Sequence, residues 1–134
     1  MIAFLVELDN RPGSLADVTE AIAERDINVI GGTGVACGSS GQLALATNDE
    51  AATRRVLLGR GFKFHEIQVV PVTLADTPGT FAKACRALAD ARINVEAVLA
   101  MGATGDRNTI AFATDDPVKA RSILTQKSIV ADGH

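Results

Sequence analysis

The 134-residue sequence has no tryptophan, no tyrosine and only five phenylalanines. A core built from it is therefore aliphatic. Positive charge is not in excess either: 13 Lys and Arg stand against 16 Asp and Glu, a formal net charge of -3. That balance argues against an electrostatic nucleic-acid surface, and no Lys/Arg-rich block exists to hold the chain on an anionic membrane. No apolar run approaches the roughly 18 residues of a membrane span. The opening MIAFLVELDN lacks a basic n-region and meets acidic residues at once, so it does not read as a signal peptide. The expectation is a cytoplasmic protein. The two cysteines, Cys37 and Cys85, are far apart and outside any CxxC pattern, and read as free thiols in a reducing compartment. No His, Cys and carboxylate set has zinc spacing, and no cofactor is expected.

What the sequence does have is repetition. Slid by 66 positions, PGSLADVTEAIAERDINV (12–29) falls on PGTFAKACRALADARINV (78–95), and eight of 18 positions agree, including the Pro-Gly opening and the Ile-Asn-Val close. Slid by 67, LALATNDEAATRRVL (43–57) falls on IAFATDDPVKARSIL (110–124). The chain thus reads as two copies of one unit, 1–67 and 68–134, each marginal in size for folding alone.

Within each copy the pattern alternates. IAFLVEL (2–8) and QVVPVTL (68–74) read as strands, with Pro71 marking a start, bulge or edge. A helix follows each Pro-Gly. Its buried stripe is expected at Leu15, Val18 and Ile22 in the first copy, and at Phe81, Ala84, Cys85 and Leu88 in the second. INVIGGTGVA (27–36) and INVEAVLAM (93–101) read as strands, GSSG (38–41) and GATGDRN (102–108) as turns, and LALAT and IAFAT as short strands. A second helix begins near Asp49 or Asp116, the latter an N-cap before Pro117 at the first helical position. FKFHEI (62–67) and KSIVA (127–131) read as closing strands. The prediction is an α+β fold of two ferredoxin-like βαββαβ units, antiparallel sheets with helices on one face.

The passages DNRPGSLADVTEAIAERDINVI and ADTPGTFAKACRALADARINVEAV resemble ACT domains, the ligand-sensing modules attached to many enzymes of amino-acid metabolism. The resemblance covers essentially the whole chain as a tandem ACT protein. It implies regulation without chemistry: units pair, a homodimer is expected, and a free amino acid binds at interfaces between units and signals to a regulated enzyme. In some family members a loop amide and the Asn entering strand two grip the ligand. Those roles fall here on Asn10 and Asn28, and in the second copy on Thr77, preceded by Asp76, and on Asn94. A polar ring that some relatives place two residues before the loop Asn is replaced by Leu8.

The residues supply a physical case. A helix N-terminus offers unpaired N–H groups and the positive end of its dipole to a carboxylate. Pro12 lacks an N–H and is preset for a helix start. Gly13 permits close approach. Candidate donors are the N–H groups of Gly13, Ser14 and Leu15, and of Gly79, Thr80 and Phe81. Asn oxygens and strand carbonyls can accept from an ammonium, and Asp9 and Asp76 add negative charge. Leu8, Leu15, Val29 and Ile30, with Val95 in the second copy, form an aliphatic lining suited to a small or branched side chain. A structural reading stands beside this one. Pro-Gly starts a helix well, Ser14 or Thr80 can serve its first turn, and Asn28 and Asn94 can cap the turn into the strand, since Asn tolerates the left-handed region. An interaction module or regulatory subunit with no small-molecule ligand is the alternative function.

Other motifs carry less. GGTGVACGSSG (31–41) lacks the Gly-Lys-Ser/Thr ending of a phosphate loop. Glycine within a strand marks a bulge or another backbone close by, so Gly31–Gly34 is expected against a partner chain or a ligand. His65 reads as an exposed strand residue, and Arg54 and Arg55 as solvated helix residues. Ser14 and Thr80 have no His-plus-acid set to activate them.

Overall fold

The computed structural model describes residues 1–126 and Ile129. The chain divides into two compact units, Ile2–Ile67 and, with Met1, Gln68–His134. In the first, β1 (Ile2–Asp9), α1 (Ser14–Ala23), β2 (Val29–Cys37), β3 (Ser40–Thr47) and α2 (Glu50–Gly59) run in order, followed by β4 (Phe64–Ala75), within which the unit boundary falls. The second continues with α3 (Thr80–Asp90), β5 (Val95–Thr104), β6 (Arg107–Thr114) and α4 (Pro117–Leu124). The closing strand expected over 127–131 lies outside the described residues except for Ile129. That residue is buried and helical rather than extended, its N–H donating back three residues to the Gln126 carbonyl at 2.9 Å.

In the first unit β1 and β2 both pair antiparallel with β3, Asp9 facing Ser40 at one end and Val29 facing Thr47 at the other. In the second, β4 and β5 pair antiparallel with β6 in the same way, Ala75 facing Arg107 and Val95 facing Thr114. Alternation sends Phe4 and Val6 of β1 and Leu45 of β3 under α1 and α2, where they meet Val18, Ile22 and Leu57. The second core gathers Val70, Val72, Leu74, Leu88, Phe112 and Leu124. Both units thus have the ferredoxin-like plan, with helices against one sheet face.

The hairpins are tighter than the sequence suggested. β2 runs to Cys37 and β5 to Thr104, leaving Gly38–Ser39 and Gly105–Asp106 as the turns. Pro71 sits inside β4 opposite Ala111, with no register shift in that ladder. Asp49 and Asp116 cap α2 and α4, accepting from the Ala52 and Lys119 N–H groups at 3.0 and 3.1 Å.

The helix faces follow expectation at Val18, Ile22, Ala84 and Leu88 and depart from it in the first turn. α1 buries Ser14, Val18, Ala21 and Ile22, while Leu15 is 54% exposed. α3 buries Thr80, Ala84 and Leu88. Cys85 is half-buried, and Phe81 is 43% exposed with its ring stacked on Phe112 at 5.8 Å. Because each helix begins right after its glycine, the hydroxyl residue takes the inward position and the apolar one stands about 100° round. The turns out of these helices also differ. The left-handed residues are Asp26 (φ 57°) and Arg92 (φ 61°), two before the asparagines. Ile27 and Ile93 N–H groups donate back to the Ile22 and Leu88 carbonyls, the bond that closes a helix in this way.

Three smaller readings resolve here. Gly32 is crowded by its own unit: a Cβ on it would stand 2.7 Å from the Ala44 carbonyl oxygen, next to a bulge between Val29 and Gly31. Arg54 is not merely solvated. Its Nε donates to Glu66 Oε2 at 2.8 Å, and the guanidinium lies over the Phe4 ring at 5.9 Å. That bond holds the Glu66 carboxyl below its usual range and pushes Arg54 up. His65 is exposed.

The cysteines differ as well. Cys37 is exposed, whereas burial pushes the Cys85 thiol up, which leaves less of the reactive thiolate. With a chromogenic disulfide at neutral pH, one thiol per chain should react promptly, and Cys37→Ser should remove that fast phase. A fast phase that survives in Cys37→Ser would contradict this ordering.

Candidate functional site

β1 ends at Asp9, and the chain crosses from sheet to helix over residues 10–13. Asn10 ties this loop to the β2–β3 turn: its backbone N–H donates to the Ser39 carbonyl at 2.9 Å and its side-chain amide to the Gly38 carbonyl at 2.8 Å. Gly13 then takes φ 93°, a left-handed value that a side chain would resist, and caps α1 with no side-chain bond. The first helical bond runs from the Asp17 N–H to the Gly13 carbonyl, and the Ser14 N–H is held by the Arg11 carbonyl at 3.3 Å. Among the described residues no hydrogen bond is made by the Gly13 and Leu15 N–H groups. Two of the three expected donors in this copy therefore have no partner among the described residues.

Arg11 folds back over the loop. Its Nη1 donates to the Pro12 carbonyl at 3.3 Å, and its guanidinium faces Asp9 at 3.8 Å and Asp17 at 3.6 Å. Two hollows flank the loop, of about 370 and 410 Å³. Leu8, Asp9, Arg11, Ser14, Gly41 and Gln42 line both. Phe62 and Lys63 close one side, and Asn10, Leu15 and Val35 the other. Ser14 is 6% exposed, and its Oγ is buried with no hydrogen-bond partner among the described residues.

The second copy keeps the backbone and changes the side chains. Gly79 takes φ 91° and the Lys83 N–H donates to its carbonyl. The Asp76 N–H donates to the Asp106 carbonyl, as Asn10 does to Ser39, and the Thr80 N–H to Thr77, as Ser14 does to Arg11. The counterpart of Asn10 is therefore Asp76, as the slide by 66 positions also has it, and Thr77, to which the loop-amide role was given above, stands where Arg11 is. Asp76 has no amide with which to brace the Gly105 turn. The Thr77 and Thr80 hydroxyls pair at 2.7 Å.

The strand-entry residues are elsewhere. Asn28, Val29 and Ile30 lie beside Thr47, whereas Asp9 lies beside Ser40. Seven residues of β3 separate the two places, about 23 Å at 3.3 Å per residue. Asn94 and Val95 lie equally far from Asp76 along β6, whereas the Phe81 ring reaches Phe112, two residues from Thr114. The backbones of Asn28 and Asn94 are held in matching ways: their N–H groups donate to the Asn48 and Asp115 side chains at 3.0 and 2.9 Å. Within one unit, then, the two expected halves of the site are not brought together, and neither Asn supplies the left-handed residue of the helix exit. Sequence reasoning also missed Arg11, Gln42 and Lys63 as lining residues. The register that seats Asp9 opposite Ser40 is the signal that finds Gln42.

Among the described residues no helix is long and apolar enough to cross a membrane, and no three His, Cys, Asp or Glu side chains gather as metal ligands. No curated protein matches the sequence. Among solved structures, a protein of Bacteroides thetaiotaomicron is similar with a TM-score of 0.85 and 21% identity, over 96% of this chain and 89% of that one. The ligand-free regulatory subunit of aspartate kinase from Thermus thermophilus is similar with a TM-score of 0.67 and 22% identity, over 92% and 88%. The corresponding subunit from Thermus flavus has a TM-score of 0.64, also at 22% identity and over the same shares. At these identities the likeness is one of fold. The family model of the ACT domain pair matches residues 6–132, so with two units and a glycine-capped loop in each, the chain belongs to the ACT domain pair family.

Proposed function

We propose that the chain is a non-enzymatic regulatory protein that binds a free amino acid at its ACT units and signals to a metabolic enzyme. The observation that carries this reading is the first loop: the open Gly13 and Leu15 N–H groups lie at the start of α1, and the loop residues around them line two hollows with Arg11, Asp9 and Gln42. These groups suit a zwitterion. N–H groups and a guanidinium receive the carboxylate, while Asp9, Asp17 and the Gln42 oxygen accept from the ammonium. Leu8 and Leu15 favour a small or branched aliphatic side chain. Asn28, Val29 and Ile30, and Asn94 and Val95, take part only where they come from outside the unit that holds the loop. A homodimer supplies such a neighbour, and Leu15 and Val35, exposed beside the second hollow, favour an apolar cover. The regulatory subunits of aspartate kinase that share the fold favour an enzyme as the regulated partner. Binding signals by favouring the arrangement that the ligand prefers. The setting is the cytoplasm, and no cofactor is required.

A thermal-shift screen with the twenty amino acids tests this reading. At about 100 times Kd a ligand adds about 2.7 kcal/mol, which for a chain of this size raises Tm by roughly 10 °C. Asn10→Ala, which unties the loop from Gly38, should reduce the shift in a protein that still folds. The same exposed Leu15 and Val35 favour a second reading, a module that docks a protein and takes no metabolite. No shift with any amino acid at millimolar concentration would decide for it.

A further inference from the structure

The two loops share a backbone and differ in one hydroxyl. In the second unit the inward hydroxyl at the helix start, Thr80, is satisfied by its neighbour Thr77 at 2.7 Å. In the first unit the same inward position is Ser14, and the neighbour is Arg11, whose side chain turns outward to Asp9 and Asp17. The Ser14 Oγ is left buried without a partner among the described residues. Leaving a buried polar atom without a bond is costly, so such a group calls for a partner.

We infer that the two copies have diverged, so that only the first unit takes a ligand, whose carboxylate is held by Arg11, by the Ser14 hydroxyl and by the open N–H groups at the start of α1. The inference rests on the amino-acid reading above and adds a stoichiometry of one ligand per chain. Arg11 is the movable part. It is 57% exposed, and its ion pairs, at 3.6 and 3.8 Å, are too long and too exposed to hold it firmly. Its Nη1 lies only 3.8 Å from where a Cβ on Gly13 would stand, so it covers the loop whose N–H groups a ligand needs. A zwitterion lets it swing without stranding charge: the ligand carboxylate replaces Asp9 and Asp17 as partner of the guanidinium, and the ligand ammonium replaces the guanidinium as partner of the aspartates. In the second unit Thr77 offers no cation, Thr80 offers no free hydroxyl, and Lys83 stands at the position of Asp17.

The test uses the full chain and titration calorimetry, with the amino acid that gives the largest thermal shift among the twenty as the probe. The expected result is one ligand per chain. Arg11→Thr copies the second unit, giving Ser14 the partner that Thr80 has. It should weaken binding at least tenfold while Tm is kept, and Ser14→Ala should weaken it as well. Thr77→Val should bind as the unaltered protein does. Two equivalent ligands per chain, or undiminished binding by Arg11→Thr, would overturn the divergence and leave the amino-acid reading intact. No binding by any of the twenty would overturn both.

Discussion

Phe112→Ala is expected to be among the most damaging single changes in the protein. Phe112 is fully buried on β6, at the centre of the second core, and its ring stacks on Phe81 with 16° between the planes. Truncation removes the transfer free energy of the ring and leaves a cavity, a loss of about 3–5 kcal/mol from a total that for a domain is about 5–15 kcal/mol. The urea midpoint should fall steeply with little change in slope. The core explains why nothing fills the gap. In the first unit the large residue is Phe4 on β1, facing Leu45; in the second the pair is Val70 and Phe112. Bulk has moved from the first strand to the third with the sum roughly kept, so Val70 is already the small member of its pair. A loss below about 1 kcal/mol would mean that Phe81 folds in to replace the lost ring.

The second large effect is expected from Gly32→Val. The Cβ would stand 2.7 Å from the Ala44 carbonyl oxygen and 3.6 Å from the Leu45 Cα. Both are backbone atoms of the strand that pairs with β1 on its other side, so neither moves without disturbing two ladders. Overpacking of this kind costs about 1–3 kcal/mol. Val98 occupies the corresponding place in β5, in a ladder that differs by a second register shift between Ala100 and Gly102. A Gly32→Val protein with an unchanged midpoint would show that the two strands separate freely at this point.

The fold was legible because it is written twice. One strand or helix read from a single pattern is ambiguous, but Pro-Gly and Ile-Asn-Val at a fixed spacing tie two ambiguous readings together. The Asp N-caps were legible because a carboxylate before a helix has a local purpose. The rest of each helix stripe was legible too, but its first turn was not. Leu15 and Phe81 look like core residues, yet the glycine cap starts each helix where Ser14 and Thr80 turn inward, and only the phase of the first turn decides this. The candidate site was half legible. Asn10, Gly13 and Ser14 stand together at the first loop, as their type and place suggested, but Asn28 lies at the far end of β3, a fact of strand direction rather than of composition. The unpartnered Ser14 hydroxyl had no signal, since Arg11 and Thr77 differ in where their side chains turn. Glycine at Gly32 said that something is near without saying what, and the β3 backbone is near.

Cys37 gives the experimenter something the sequence did not advertise. It is exposed at the end of β2 and precedes Gly38, whose carbonyl accepts the Asn10 amide. A fluorophore or spin label placed on the natural thiol would therefore report on the crossing loop from one residue beyond its brace, with Cys85 shielded by the fold. The wild-type chain thus comes with its own attachment point for watching the loop in solution.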